Sequence, residues 1–96
     1  MGALYKTPQA RQDIFETFFH VALDSMHVSS LLKKRLEERF QTLADNPEMG
    51  RSRPEFGRGV RLFPFDHYLI IYRPIPGGVL ILRFLDGLRD IAAIME

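Results

Sequence analysis

The first half of the chain carries its apolar residues at helical spacing. Thr7 is a good N-cap residue, and Pro8 fits the first helical position because its missing N–H is not needed there. Apolar side chains then recur every three or four residues, which predicts helix 1. The pattern comprises Ala10, Ile14, Phe18, Val21 and Ala22, widened by Phe15, Phe19 and Met26. So broad an apolar face indicates burial on two sides.

A second helical pattern follows a break at "HVSS". Either Ser29 or Ser30 is the expected cap of helix 2. Its apolar stripe is narrower and consists of Leu32, Leu36, Phe40 and Leu43. The helix is expected to stop at "DNP", residues 45–47, and the segment "EMGRSRPEFGRG" is too rich in Gly, Pro and Arg to predict regular structure.

The second half of the chain has the pattern of strands. Residues 60–63, 67–73 and 79–84 are rich in branched and aromatic types and are joined by short turns, which predicts antiparallel hairpins. Both faces of the 67–73 strand are apolar, as expected of a central strand. A short strand at residues 3–6 and a short helix at residues 90–95 complete the pattern. The predicted fold is α+β: a strand, an antiparallel helix hairpin, a three-stranded antiparallel meander and a short C-terminal helix.

Length and composition narrow the class of protein. Ninety-six residues predict a single domain covering residues 1–96. The chain has no cysteine, so disulfides and cysteine metal sites are excluded. Because no window resembles a membrane span or a secretion signal, we expect a cytoplasmic protein with no membrane partner. A net charge of +1 attracts nucleic acid only weakly over a distance, but residues 51–61 concentrate four arginines against one glutamate. Whether the protein binds nucleic acid directly therefore stays open.

Several punctuating motifs, spread over nearly the whole chain, resemble those of one protein family. They are "TPQARQDI", "LADNPEMGR", "GVR", "YLIIYR" and "ILRFLDGLRDI". Together they are similar to the ParE-type toxins of bacterial toxin–antitoxin modules, within the RelE/ParE superfamily. This resemblance implies neutralisation by a cognate, ParD-like antitoxin that folds on the toxin. In the ParE branch it also implies poisoning of DNA gyrase, so that cleaved DNA accumulates, whereas the RelE branch cuts messenger RNA on the ribosome.

This chain has only some of the residues that form the nuclease site in other members of the superfamily. Nuclease members of the superfamily carry lysines on the second strand, an arginine beside the tyrosine of the third, and Tyr or His near the carboxy terminus. Here Arg61 is the only base in "VRLF", Leu69 follows Tyr68, and no Tyr, His or Lys follows Tyr72. Arg89 does match the arginine that nuclease members place after the fourth strand. Phosphate contact is therefore conceivable, whereas acid–base chemistry is not supported, and no catalytic residue is predicted.

The three histidines do not predict a catalytic or metal site. His67 could act as a general base by its ordinary pKa, but its place beside Asp66 at a strand entrance favours a turn hydrogen bond. His20 and His27 lie seven residues apart on what we expect to be one helix, about 10 Å along its axis, which is too far to bind one ion. We expect no metal and no cofactor.

Two sets of residues are the candidate binding sites. The hypothetical target-binding set comprises Arg61, Arg73, Arg83 and Arg89, which should converge on the same hairpins. An equally weighted alternative is a structural network of these arginines with Asp86 and Asp90. The hypothetical antitoxin-binding set comprises Phe15, Phe18, Phe19, Arg51 and Arg53.

Three functions remain in competition at this point. The leading hypothesis is a toxin that binds gyrase without catalysis of its own. The alternatives are a ribosome-dependent endonuclease of the RelE type and a chain that binds its antitoxin without being toxic. The sequence does not decide which gyrase surface is contacted, which antitoxin is used or which oligomeric state is formed.

Overall fold

The computed structural model describes residues 1–87 and 91–95, and its elements follow the predicted order with one addition. They are β1 (Ala3–Lys6), α1 (Pro8–Asp24), α2 (Met26–Asp45), β2 (Arg51–Ser52), β3 (Arg61–Phe65), β4 (Tyr68–Ile75), β5 (Gly78–Asp86) and α3 (Ile91–Met95). The strands form one sheet in the order β1-β5-β4-β3-β2. β1 pairs with β5 in parallel, and the other neighbours are antiparallel. The predicted α+β class is confirmed, and the amino-terminal strand pairs at one edge of the meander.

Thr7 both starts α1 and ties it to the sheet. Its side-chain oxygen accepts a hydrogen bond from the Ala10 N–H at 3.0 Å, as predicted for the N-cap, and Pro8 occupies the first turn. The same hydroxyl donates to the carbonyl oxygen of Leu82 on β5 at 2.8 Å. The direction in which α1 leaves β1 is therefore set by a side chain that serves the helix and the sheet together.

The predicted start of the second helix is wrong. α2 begins at Met26, directly after Ser25, which ends α1 and also caps α2 through its hydroxyl. Ser29 lies inside α2, where it is buried and donates its hydroxyl to the Phe18 carbonyl at 3.1 Å. Met26 therefore belongs to α2 and is exposed, rather than widening the apolar face of α1. A serine that bonds to a neighbouring helix gives the same sequence signal as a capping serine, which is why "HVSS" was misleading.

The segment predicted to be irregular contains a fifth strand. Arg51 and Ser52 form β2, which pairs with Leu62 and Arg61 of β3, and a 3₁₀ turn follows at Pro54–Phe56. β3 continues through Pro64, which the sequence placed in a turn. Because β2 ends before that point, the nitrogen of Pro64 faces an open edge and no ladder hydrogen bond is lost.

β4 lies at the centre of the sheet and is buried on both faces, as predicted. Ile70 and Tyr72 pack in the core under α1 and α2, whereas Ile71 packs in a second core on the opposite face. A bulge interrupts the β4–β5 ladder, because Ile71 is opposite Arg83 while Tyr72 is opposite Ile81. The second core is covered by the 3₁₀ turn and α3 through Phe56, Ile91, Ile94 and Met95. No helix among residues 1–87 and 91–95 is long and apolar enough to cross a membrane.

Candidate functional site

Arg61 and Arg73 both hold the loop that follows α2, which we call the arginine loop (residues 46–60). Arg61 donates from Nη1 to the carbonyl oxygens of Gly50 at 2.7 Å and Glu48 at 3.2 Å. Arg73 donates from Nε to the carbonyl oxygen of Arg58 at 3.0 Å. The two arginines reach opposite ends of the loop. Arg61 and Arg73 therefore each use part of their hydrogen-bonding capacity to hold this loop, which is a structural role.

Tyr72 anchors the same loop from the core. Its ring is fully buried, and its hydroxyl donates to the Pro47 carbonyl at 2.8 Å and accepts the Gly50 N–H at 2.8 Å. Burial raises the pKa of Tyr72, and the hydrogen bond from Gly50 opposes that rise. A side chain at position 50 would place its Cβ 2.5 Å from the Tyr72 oxygen, so only glycine fits. The sequence indicated a packing role for Tyr72 but gave no signal for this anchor.

Arg83 does not join the other two arginines. Its guanidinium binds Asp13 of α1 at two points, Nε to Oδ2 at 2.7 Å and Nη2 to Oδ1 at 3.0 Å. This hydrogen bond raises the pKa of Arg83 above its ordinary value. The structural alternative named Asp86 and Asp90 as partners, and the structure adds Asp13 as a partner of Arg83, because α1 packs against this edge of β5. Asp90 and the predicted target residue Arg89 lie outside the described residues.

A turn joins β3 and β4 at Asp66 and His67, where the sequence predicted one. The carboxylate of Asp66, however, bonds to α2 and not within the turn as expected. Asp66 has φ of 53°, a left-handed conformation that Asp tolerates in turns. Its carboxylate binds Arg35 of α2 at 2.9 and 3.1 Å, and this pairing lowers the pKa of Asp66. The ring of His67 lies 4.1 Å from that of Tyr68. Asp66 thus joins the turn to α2 instead of orienting His67 as a base.

Comparison with known proteins decides the family. Residues 4–91 match the model of the ParE toxin of type II toxin–antitoxin systems, parDE. The chain belongs to the ParE toxin family. It is 32% identical over 94 residues to the protein named Toxin ParE3 of Caulobacter vibrioides, covering 97% of this chain and 94% of that one. The chromosomal ParDE system of P. aeruginosa has a solved chain with a TM-score of 0.72 and 22% identity, covering 90% of this chain and 96% of that one, which shows the shared fold.

This ParE-family toxin has a groove along α1 that gathers the three predicted phenylalanines. Phe15 and Phe19 are 69% and 52% exposed, and their ring centroids lie 6.1 Å apart. Phe18 packs against the core and forms the floor. The groove is lined by Lys6, Arg11, Ile14, Phe15, Phe18, Phe19 and Lys33. Its floor is apolar and its rim is basic.

The other two residues of the predicted antitoxin set lie elsewhere on the toxin. Arg51 pairs in register with Leu62, which belongs to the core on the far face of the sheet. The guanidinium of Arg53 lies over the ring of Phe56, 4.7 Å from its centroid, and binds Glu55 at 2.8 Å. A single helix in the α1 groove could not also contact these arginines, so the predicted set is two separate surfaces.

His20 and His27 lie on two different helices, contrary to the expectation of one. His20 is on α1 and His27 on α2, and both are exposed. Within residues 1–87 and 91–95, no group of three or more His, Cys, Asp or Glu side chains could hold a metal ion.

Proposed function

We propose that this type II toxin acts by binding DNA gyrase and stabilising the complex in which gyrase holds cleaved DNA. The observation that carries the proposal is the match of residues 4–91 to the ParE toxin family. The toxin itself would make or break no bond, and its effect would come from binding energy alone. The cytoplasm, where gyrase acts, stays the predicted compartment.

The surroundings of the candidate catalytic groups favour binding over catalysis. A metal-free ribonuclease needs a base, an acid and a cation within reach of one phosphate. The hydroxyl of Tyr72 already has two partners in the core, and Arg83 is bound to Asp13. Arg61 and Arg73 hold opposite ends of the arginine loop. These four side chains therefore supply no assembled acid–base pair beside a free guanidinium.

We further propose that the α1 groove receives a helix of the cognate antitoxin. Such a helix would place its apolar side chains against Phe15 and Phe19 and its acidic side chains against the basic rim at Lys6, Arg11 and Lys33. A segment that is disordered when free and folds on the toxin could bury both exposed rings. Blocking this surface need not involve the surface that contacts gyrase.

Purified gyrase provides the test of the target. Gyrase, ATP and supercoiled plasmid are incubated with the toxin, and cleaved complexes are released with detergent and protease. We expect linear plasmid to accumulate with toxin dose and to disappear when the antitoxin is added in equal amount. Arg73→Ala, with Lys34→Ala on α2 as the matched control, tests whether the predicted target-binding arginines contribute.

Two outcomes would overturn the proposed action. Messenger RNA cut on translating ribosomes, with gyrase unaffected, would indicate an endonuclease of the RelE type. No effect in either assay, with a tight antitoxin complex retained, would indicate a chain that binds antitoxin without toxicity. Both assays use the same purified chain, so the three functions are separated directly.

A further inference from the structure

Three arginines lie on the sheet face opposite α1 and α2, and the backbone of a fourth is bound to one of them. Arg51 shares a face with Leu62, its partner in register, and Arg73 shares the same face with Ile71, two residues earlier on β4. Arg53 covers Phe56, which packs on this face, and Arg58 is tied to Arg73 through its carbonyl. We call the four residues Arg51, Arg53, Arg58 and Arg73 the arginine platform.

The platform concentrates positive charge on a chain that is almost neutral. The whole protein has a net charge of +1, yet the arginine loop and the neighbouring strand β4 contribute four arginines here. Glu55 binds Arg53 at 2.8 Å, and the pKa of its carboxyl is lowered by that hydrogen bond and by the charges of Arg53 and Arg51. Arg51 and Arg58 are exposed, and Arg53 and Arg73 are partly exposed. Like charges held together repel one another, so the platform favours a polyanionic ligand that spans several of them.

The platform is held rigidly by residues beneath it. Tyr72 and Arg61 fix the loop at Pro47 and Gly50, and Arg73 fixes it at Arg58. The Arg53 N–H also donates to the Val60 carbonyl at 2.8 Å, which closes the turn between β2 and β3. A ligand would therefore meet guanidiniums whose backbone is already ordered, and binding loses less entropy than on a flexible loop.

We propose that the arginine platform binds the phosphodiester backbone of nucleic acid. Guanidinium groups match phosphate oxygens in charge and in their paired donors, and they can contact successive phosphates without reading sequence. The inference goes beyond the action on gyrase, because it concerns nucleic acid alone.

Tyr5 extends the platform and could distinguish one form of nucleic acid from another. It is 57% exposed and lies in register with Leu80 of β5, which in turn is opposite Arg73 of β4. All three share the face of the platform. Tyr5 lies two strands from Arg73, and an exposed aromatic ring on a basic face can stack an unpaired base, whereas a duplex offers mainly its backbone. Single-stranded and duplex ligands therefore need separate measurement.

Fluorescence anisotropy with labelled DNA of mixed sequence tests the proposal on the full chain. We use a duplex and a single strand of about 20 nucleotides, each titrated between about 50 and 200 mM salt. With three or four phosphate contacts, the logarithm of the duplex affinity should fall against the logarithm of salt concentration with a slope of roughly −3. Arg51→Ala or Arg58→Ala should reduce that slope by about one. Tyr5→Ala should weaken single-strand binding by roughly tenfold and leave duplex binding unchanged if the single strand is the ligand.

Lys34→Ala on α2 is the matched control, since it removes one positive charge from an exposed position on the other side of the protein, outside the α1 groove. The proposal is overturned if neither DNA binds at the lowest salt, or if Lys34→Ala weakens binding as much as Arg51→Ala. It is also overturned if poly-glutamate binds the platform more tightly than either DNA, which would indicate an acidic protein partner. Circular dichroism verifies that each variant is folded. A negative gyrase assay would leave these results unchanged, so the two proposals can fail separately.

Discussion

Asp13 and Arg83 join α1 to the end of β5 at a point where the sheet lacks a neighbouring strand. β1 ends at Lys6, so among the described residues β5 has no strand partner on that side beyond the bulge. The Asp13 carboxylate fills the gap, because it binds the Arg83 guanidinium at two points and also accepts the Phe84 N–H at 3.0 Å. One carboxylate thus satisfies a backbone donor and a partly buried cation together.

Replacing Asp13 with Asn should destabilise the fold. The variant keeps an acceptor for the Phe84 N–H but leaves the Arg83 guanidinium without its counter-charge, and the side chains of Asp13 and Arg83 are only 10% and 24% exposed. A hydrogen bond to a charged group contributes about 1.5–3 kcal/mol to the free energy of unfolding. Each kcal/mol corresponds to roughly 4–8 °C in a domain of this size, so a thermal melt followed by circular dichroism measures the change.

Asp24→Asn is the control, because it makes the same change at an exposed position of the same helix. Its melting temperature should remain close to that of the parent. If Asp13→Asn melts no lower than Asp24→Asn, the pair does not stabilise the junction of α1 and β5.

Most helices and strands could be predicted from residues close together in the sequence, whereas contacts between distant residues could not. Thr7 and Pro8 predicted the start of α1, because capping depends on residues three positions apart. The Asp13–Arg83 pair joins residues 70 positions apart, and no periodicity marks Asp13 as the partner of Arg83. The binding of Tyr72 to Gly50 was missed for the same reason. Helical spacing was enough to group the phenylalanines of the α1 groove on one helix. It was not enough for Arg61, Arg73 and Arg83, because the direction of each side chain depends on the face of the sheet and on the bulge in the β4–β5 ladder.

Removing the Tyr72 hydroxyl should loosen the arginine loop. In Tyr72→Phe the Gly50 N–H and the Pro47 carbonyl lose their partner, and an unsatisfied buried polar group costs about 1–3 kcal/mol. We expect faster hydrogen exchange at the Gly50 amide and a lower free energy of unfolding in urea. Tyr5→Phe serves as the control, since Tyr5 is exposed. Equal exchange rates at Gly50 in the two variants would contradict the anchor.

Alkaline pH should destabilise the protein through Tyr72. Burial raises the pKa of this phenol in the folded state, while an unfolded tyrosine ionises near pH 10. The neutral phenol therefore stabilises the fold fully below about pH 10, and this contribution is lost as the pH rises through the higher folded value. Urea melts between about pH 8 and 11 should show a smaller decline in stability for Tyr72→Phe than for Tyr5→Phe. If the free energy of unfolding declines equally with pH in the two variants, the decline does not come from Tyr72. Part of the decline should persist in both, because burial also raises the pKa of Tyr68.

Replacing an exposed phenylalanine of the α1 groove with glutamate should weaken the antitoxin complex without unfolding the toxin. Phe15 and Phe19 are exposed in the free protein, so Phe15→Glu or Phe19→Glu disturbs no core packing. In the complex the new carboxylate would be buried against an apolar helix, and aromatic anchors of this kind contribute about 2 kcal/mol or more to binding, so we expect roughly a thirtyfold loss in affinity.

Met49→Glu is the control, because Met49 is also exposed but lies on the loop away from the groove. Calorimetric titration with the antitoxin from the adjacent reading frame gives the dissociation constants. Covering two exposed rings should also make the complex more soluble than the toxin alone. If Phe19→Glu and Met49→Glu bind equally well, and the free toxin is already monomeric and soluble, then the antitoxin occupies another surface.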